Sequence, residues 1–357
     1  PGQAVGVTVN NYQSVNSLVV NWAAPSGNLS IYNVTITGDV NGTSQNTSTQ
    51  VTFTNLLPGR NYTVTVQTIS GSCNSPITTV TEATYPTSPG IITFNTVGTN
   101  TTTLSWVEPV NMTNVTKSYN IIYYWNASSP ITVTSNSANV TLLSLKSGSN
   151  YNITVVTVGV RGYLSTPVSR SVFTKPLAVK LPQYFNVTST SVSLNWSRPD
   201  EYQSSYTYRV QTNVTSSSTM LNNITVTNES ATLVNLNPGG TYTFLIYTRA
   251  ADNVTESDSV SVTTCTKPLP VKLPQYFNVT STSVSLNWSR PDEYQSSYTY
   301  RVQTNVTSST MLNNITVTNE SATLVNLTLG GTYTFLIYTR AADNVTESDS
   351  VSVTTCT

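Results

Sequence analysis

The chain has 357 residues, 15 basic and 15 acidic side chains, no histidine and a formal net charge of zero. So sparse and balanced a charge excludes a basic face for nucleic-acid phosphates, and the missing histidine removes the commonest general base and neutral metal ligand. Apolar residues make up 38%, with 21 tyrosines and 5 tryptophans, enough to fill several small cores.

The remainder is rich in Thr, Ser, Asn and Val, which favours strands and turns over helices. No apolar run approaches the ~18 residues of a membrane span. No basic and apolar leader opens the chain, which reads as a mature protein or a segment of a longer one. Cys73, Cys265 and Cys356 are too few and too scattered for a disulfide scaffold or a zinc site.

In chain order, the first clear strands are Leu18 to Trp22, Ile31 to Thr37 and Asn61 to Gln67. Each alternates apolar and polar residues and is bounded by Gly, Pro, Asn or Ser clusters. The same pattern returns four times. A strand tryptophan is followed by a tyrosine 40 to 46 residues later: Trp22 with Tyr62, Trp106 with Tyr151, Trp196 with Tyr242, Trp288 with Tyr333. A long stretch beginning at Val179 recurs unchanged from Val271. Fixed-period repetition of this kind marks a tandem array. Prolines at Tyr85-Pro86, Lys175-Pro176 and Lys267-Pro268 mark the joints, because proline resists continuation of a strand. The expected units are 1–85, 86–175, 176–267 and 268–357. About seven short strands per unit, without paired cysteines, predict an all-β, two-sheet antiparallel sandwich.

These residues resemble the fibronectin type III family, whose second strand carries a tryptophan and whose sixth is entered by a Leu-x-Pro-Gly-x-x-Tyr turn. That turn reads "LLPGRNY" at Leu56 to Tyr62 and "LNPGGTY" at Leu236 to Tyr242. It loses its proline but keeps Leu, Gly and Tyr in "LKSGSNY" (Leu145 to Tyr151) and "LTLGGTY" (Leu327 to Tyr333). The resemblance covers essentially the whole chain. It implies four tandem seven-stranded, immunoglobulin-like β-sandwiches in a linear array, each with a tyrosine corner. More narrowly, the turn followed by a proline-started unit resembles the ectodomains of receptor-type protein tyrosine phosphatases. The cysteine-arginine phosphate loop of those enzymes has no counterpart around the three cysteines.

The most abundant functional signal is the N-glycosylation acceptor Asn-x-Ser/Thr. The first unit carries Asn28, Asn33, Asn41, Asn46 and Asn61, the second Asn100, Asn111, Asn114, Asn126, Asn139 and Asn152. The third carries Asn186, Asn195, Asn213, Asn223, Asn228 and Asn253, the fourth Asn278, Asn287, Asn305, Asn314, Asn319, Asn326 and Asn344. A chain rich in these residues makes some such triplets by chance. On a strand, however, the acceptor spans positions i and i+2, which is the strand's own period. With Tyr32, Val34 and Ile36 inward, Asn33 and Thr35 face outward, as do Asn61 and Thr63, and Asn152 and Thr154. Covalent N-glycans are therefore expected, and no cofactor.

Three further constellations have weaker claims. Asp200, Glu201, Asp252, Glu256 and Asp258, with Asp292, Glu293, Asp343, Glu347 and Asp349, occupy loops expected at one end of a sandwich. Calcium at a domain junction is one reading, and solvated loops with Arg198 and Arg249 as local partners is the other. The loop Val160 to Leu164 lies where fibronectin's cell-binding loop carries Arg-Gly-Asp, with Tyr163 in place of the aspartate. If Val260 and Val262 point inward, Cys265 lies in the outward phase and Cys356 repeats it. The thiols read as isolated or as awaiting outside partners. Alternatively, Cys356 of one chain meets Cys73 of the next in a head-to-tail disulfide-linked homopolymer.

No nucleophile elbow, phosphate-binding glycine loop or metal cluster is present, so no enzyme is expected. The expectation is an extracellular, glycosylated spacer or adhesion array whose partners are other extracellular proteins or copies of itself. It belongs either to a receptor ectodomain or to a secreted filament.

Overall fold

The computed structural model describes residues 1–27, 31–214, 220–306 and 309–357. They form two compact bodies, Pro1–Lys175 and Pro176–Thr357. Each body holds two β-sandwiches.

The first sandwich contains β1 (Val5–Asn10), β2 (Leu18–Ala23), β3 (Ile31–Thr37), β4 (Gly42–Asn46), β5 (Gln50–Phe53), β6 (Asn61–Ser70), β7 (Cys73–Asn74) and β8 (Thr78–Ala83). One sheet has the order β1-β2-β5, and the other runs β4-β3-β6 with β7 and β8 both paired to β6. The second sandwich repeats this plan. Asn139–Leu142, Thr102–Trp106 and Ile92–Val97 form one sheet, and Ile131–Ser135, Ser118–Trp125, Asn150–Val158 and Val168–Phe173 the other. The third and fourth follow the same three-plus-four arrangement. The all-β expectation therefore holds: among the described residues the one helical segment is a 3-10 turn at Val160–Gly162.

Alternation decides the packing. In β6, Tyr62, Val64 and Val66 are buried against the opposite sheet while Asn61, Thr63 and Thr65 line the outer face. The tryptophans Trp22, Trp106, Trp196 and Trp288 are buried at the centre of their cores. Each meets a tyrosine of the facing sheet edge to face, for example Trp22 with Tyr32 at 5.0 Å and Trp288 with Tyr300 at 5.4 Å. Such pairs add about 0.5–1.5 kcal/mol beyond the area they bury.

The tyrosine corner is present four times. The hydroxyl of Tyr62 accepts a hydrogen bond from the Leu57 amide at 2.8 Å, and Tyr151 does the same with Lys146. Tyr242 accepts from Asn237 at 2.7 Å and Tyr333 from Thr328 at 2.6 Å. The turn glycines Gly59, Gly148, Gly239 and Gly330 all have φ between 56° and 70°, a left-handed conformation that a β-carbon disfavours. Loss of the turn proline in the second and fourth units leaves this geometry unchanged.

Candidate functional site

The outer faces of the sheets carry the acceptor asparagines. Every described one is exposed except Asn33, Asn46, Asn213 and Asn305, which are half-buried, and none is buried. Asn28 lies outside the described residues. Asn33 sits mid-strand on β3, opposite Gln45 on one side and Gln67 on the other, so its neighbours shade it without enclosing it. Asn213 ends a row of polar side chains along one strand: Arg209 donates to Gln211 at 3.0 Å, and Gln211 donates to the Asn213 carboxamide oxygen at 3.0 Å. The fourth sandwich repeats the row through Arg301, Gln303 and Asn305. In both rows the oxygen is the engaged atom, and the amide nitrogen is the one that carries a glycan.

Several other acceptors stand in loops for a second physical reason. Asn111, Asn114, Asn126, Asn186, Asn253, Asn278, Asn326 and Asn344 all adopt positive φ, where asparagine is the best tolerated residue after glycine. Asn326 becomes an acceptor because Thr328 replaces Asn237 of the preceding unit. The backbone there is the same as at Asn235, which is not an acceptor.

The acidic loops are engaged by the protein itself. Glu256 accepts two bonds from Arg209, both at 2.7 Å, and one from Arg249 at 2.6 Å. The bond from Arg209 leads the causes that hold its carboxyl below the usual range. Glu347 is held in the same way by Arg301 and Arg340. Arg209 also lies over the Tyr247 ring at 3.9 Å. Asp252 closes its own loop, accepting from the amides of Val254 and Thr255 and from the Thr255 hydroxyl. Asp200 pairs with Lys180. Arg198, expected beside the acidic loops, instead bonds Glu229 at 2.9 Å and stacks on Tyr202. Among the described residues, no three His, Cys, Asp or Glu side chains converge as a metal site would require.

The cysteines divide in a way the strand phase does not foretell. Cys73 and Cys356 are exposed, but Cys265 is 3% exposed. Cys265 does share the outward phase of Ser261 and Thr263. It is buried where Asp343 of the fourth sandwich approaches it, and its thiol lies 3.2 Å from the Thr241 hydroxyl. Burial pushes this thiol above its ordinary range.

Two joints, one in each body, explain other features that a period-two reading misses. In the first body, Met112 from a loop of the second sandwich is fully buried over the Gly59 turn. A β-carbon on Gly59 would stand 2.4 Å from the Met112 Cε. In the second body, Tyr298 of the fourth sandwich lies over Gly239, where a β-carbon would come within 1.9 Å of its hydroxyl. That hydroxyl and the Gln295 amide both donate to the Pro238 carbonyl at 3.1 Å. Burial pushes the Tyr298 hydroxyl up to about 12, so it remains a donor at neutral pH. At Gly330, a β-carbon would meet no described residue within 4 Å.

The loop Val160–Gly162 turns back on the first sandwich. Arg161 donates to the Thr81 carbonyl at 2.8 Å and to its hydroxyl at 3.0 Å, and lies 3.6 Å from the Glu82 carboxylate. Tyr163 donates to the same carboxylate at 2.8 Å and stacks on Tyr85 with centroids 4.6 Å apart and planes 9° from parallel.

Comparison with known proteins agrees with this architecture. The chain is 31% identical over 322 residues to receptor-type tyrosine-protein phosphatase eta of Gallus gallus, covering 89% of this chain and 22% of that protein. It is 30% identical over 297 residues to receptor-type tyrosine-protein phosphatase H of Homo sapiens, covering 81% and 26% respectively. The chain thus spans roughly a quarter of the length of these curated relatives. Among solved structures, a two-domain fibronectin type III segment of chicken tenascin matches with a TM-score of 0.36 and 23% identity, over 50% of this chain and 99% of that one. The fibronectin type III domain matches residues 2–84, 87–174, 178–263 and 270–354. The chain belongs to the fibronectin type III family, as a tandem of four such domains.

Proposed function

We propose that this chain is part of the extracellular segment of a receptor-type, phosphatase-like protein, where it serves as an N-glycosylated spacer and adhesion array. Its similarity over 89% of its length to a receptor-type phosphatase carries the reading. The exposure of the acceptor asparagines supports the glycan coat. With only 8% charged residues, the surface lacks the density that keeps most proteins soluble, and hydrophilic glycans supply it. They also cover flat strand faces and edges that otherwise invite strand pairing. In this reading the chain does no chemistry. It holds other parts at a distance and presents loops and joints to extracellular proteins. No described helix is long and apolar enough to cross a membrane, so anchoring falls to another part of the protein. The test is the reading frame that encodes the chain. A membrane span and a phosphatase domain beyond Thr357 support the proposal, and a frame that lacks both overturns it.

A second reading draws on the exposure of Cys73 and Cys356 against the burial of Cys265. Two accessible thiols in the first and last domains suit head-to-tail disulfides, and a heterologous contact of that kind builds an open filament. A ladder on non-reducing gels that collapses with reductant supports it. A single monomer band under both conditions ends it.

A further inference from the structure

We propose that the Arg161–Tyr163 loop is an interdomain latch that fixes the second domain to the first. The loop is itself firmly shaped, with the Gly159 amide donating to the Tyr163 carbonyl at 2.9 Å and an isolated bridge between Val158 and Leu164. Its two functional side chains converge on one carboxylate. Tyr163 and Arg161 both address Glu82, whose side chain is only 17% exposed, and Arg161 also reaches Thr81. The Tyr85 ring receives Tyr163 from above, and its backbone is tied to the first domain by bonds to Ser14 and Gly59.

A single contact would leave the second domain free to swivel. Here the joint has two attachments from separate segments of the second domain: the latch, and Met112 seated on Gly59. Two contacts made by separate loops restrict that swivel. Charge-assisted hydrogen bonds to a partly buried carboxylate contribute more than neutral ones do, which makes Glu82 the residue on which closure depends most.

The test uses the full chain with Cys265→Ser and Cys356→Ser, spin-labelled at Cys73 and at an Asn136→Cys substitution. These sites lie in the first and second domains, respectively. The proposal predicts one narrow distance distribution. In Glu82→Gln/Tyr163→Ala it predicts a broad one, together with tryptic cleavage after Arg161 that is at least ~10-fold faster, the factor expected for losing one charge-assisted hydrogen bond. A broad distribution in the parent chain overturns the proposal, as do a distribution and a cleavage rate that the double variant leaves unchanged. If the double variant loses its fold by circular dichroism, Tyr163→Phe decides. This variant keeps the stacked ring and removes only the hydroxyl. Faster cleavage after Arg161 in a folded protein supports the latch, and an unchanged rate refutes it.

Discussion

Tyr298→Ala is expected to open the joint between the third and fourth domains and expose a thiol that the folded chain hides. The Tyr298 ring is 2% exposed, and its hydroxyl shares the Pro238 carbonyl with Gln295. Truncating a buried aromatic costs about 3–5 kcal/mol in total. Part of that cost stays within the fourth domain, where Tyr298 meets Tyr294 edge to face at 5.9 Å. Gln295 keeps the carbonyl satisfied. The share that falls on the joint is therefore about 1.5–3 kcal/mol, one hydrogen bond plus the ring's contact with Gly239. At 1.4 kcal/mol per tenfold, the open population rises by roughly 10- to 150-fold. Maleimide labelling followed by peptide mass spectrometry reads it at Cys265. Cys356 is the internal control, since it sits in the same Val-Ser-Val-Thr-Thr-Cys strand with its thiol 3.3 Å from a threonine hydroxyl, against 3.2 Å at Cys265. Cys356 should label quickly in both proteins and Cys265 slowly in the parent alone. Equal rates at Cys265 and Cys356 in the parent chain would refute the reasoning, as would a Cys265 rate that Tyr298→Ala does not change.

Three further outcomes follow from the same geometry. Gly330→Ala should cost only the ~1–2 kcal/mol of a left-handed alanine, whereas Gly239→Ala should cost more and also speed Cys265 labelling, because its new methyl meets Tyr298. Denaturant unfolding separates the two. Tyr62→Phe should destabilise the first domain by about 1–3 kcal/mol, since it strands the Leu57 amide, and an unchanged midpoint would count against the corner as a structural device. Glu256 and Glu347 are held below their unfolded values. Their stabilisation is therefore complete above the unfolded carboxylate range near ~4.3 and is lost as pH falls through the lower folded values. The stability gap between the parent chain and Glu256→Gln/Glu347→Gln should accordingly close in acid, and a gap constant down to pH 2 would contradict the assignment.

The sandwiches were legible in the sequence because their determinants are local and repeated. Trp22 and its three counterparts, the Leu-Gly-Tyr turns and strict alternation all specify in or out within a single domain. Trp196 and Tyr242 are as buried as the pattern requires. The joints were not legible, because alternation is silent about what meets the end of a sandwich. Met112 sits inside an acceptor triplet and reads as a loop residue, yet it is fully buried. Cys265 follows the outward phase and is covered all the same. Tyr163, which stands where an aspartate would complete an Arg-Gly-Asp loop, holds its loop against Glu82 and Tyr85 of the preceding domain. One signal for the joints was present: glycine in the turn after Leu56 and Leu236 serves both the backbone and the close approach of the next domain. Sequence alone displays only the first need.

The central claim, a fibronectin type III array whose outer face is built to carry sugar, is tested most directly by glycan occupancy. The chain would be secreted from eukaryotic cells and treated with peptide N-glycosidase in heavy-oxygen water. Site-resolved mass spectrometry then marks each formerly glycosylated asparagine as an isotopically labelled aspartate. The account predicts occupancy at most of the acceptors, including the strand residues Asn61 and Asn152, whose neighbours Tyr62 and Ile153 are buried. A secreted, folded chain with most of those asparagines bare would contradict it.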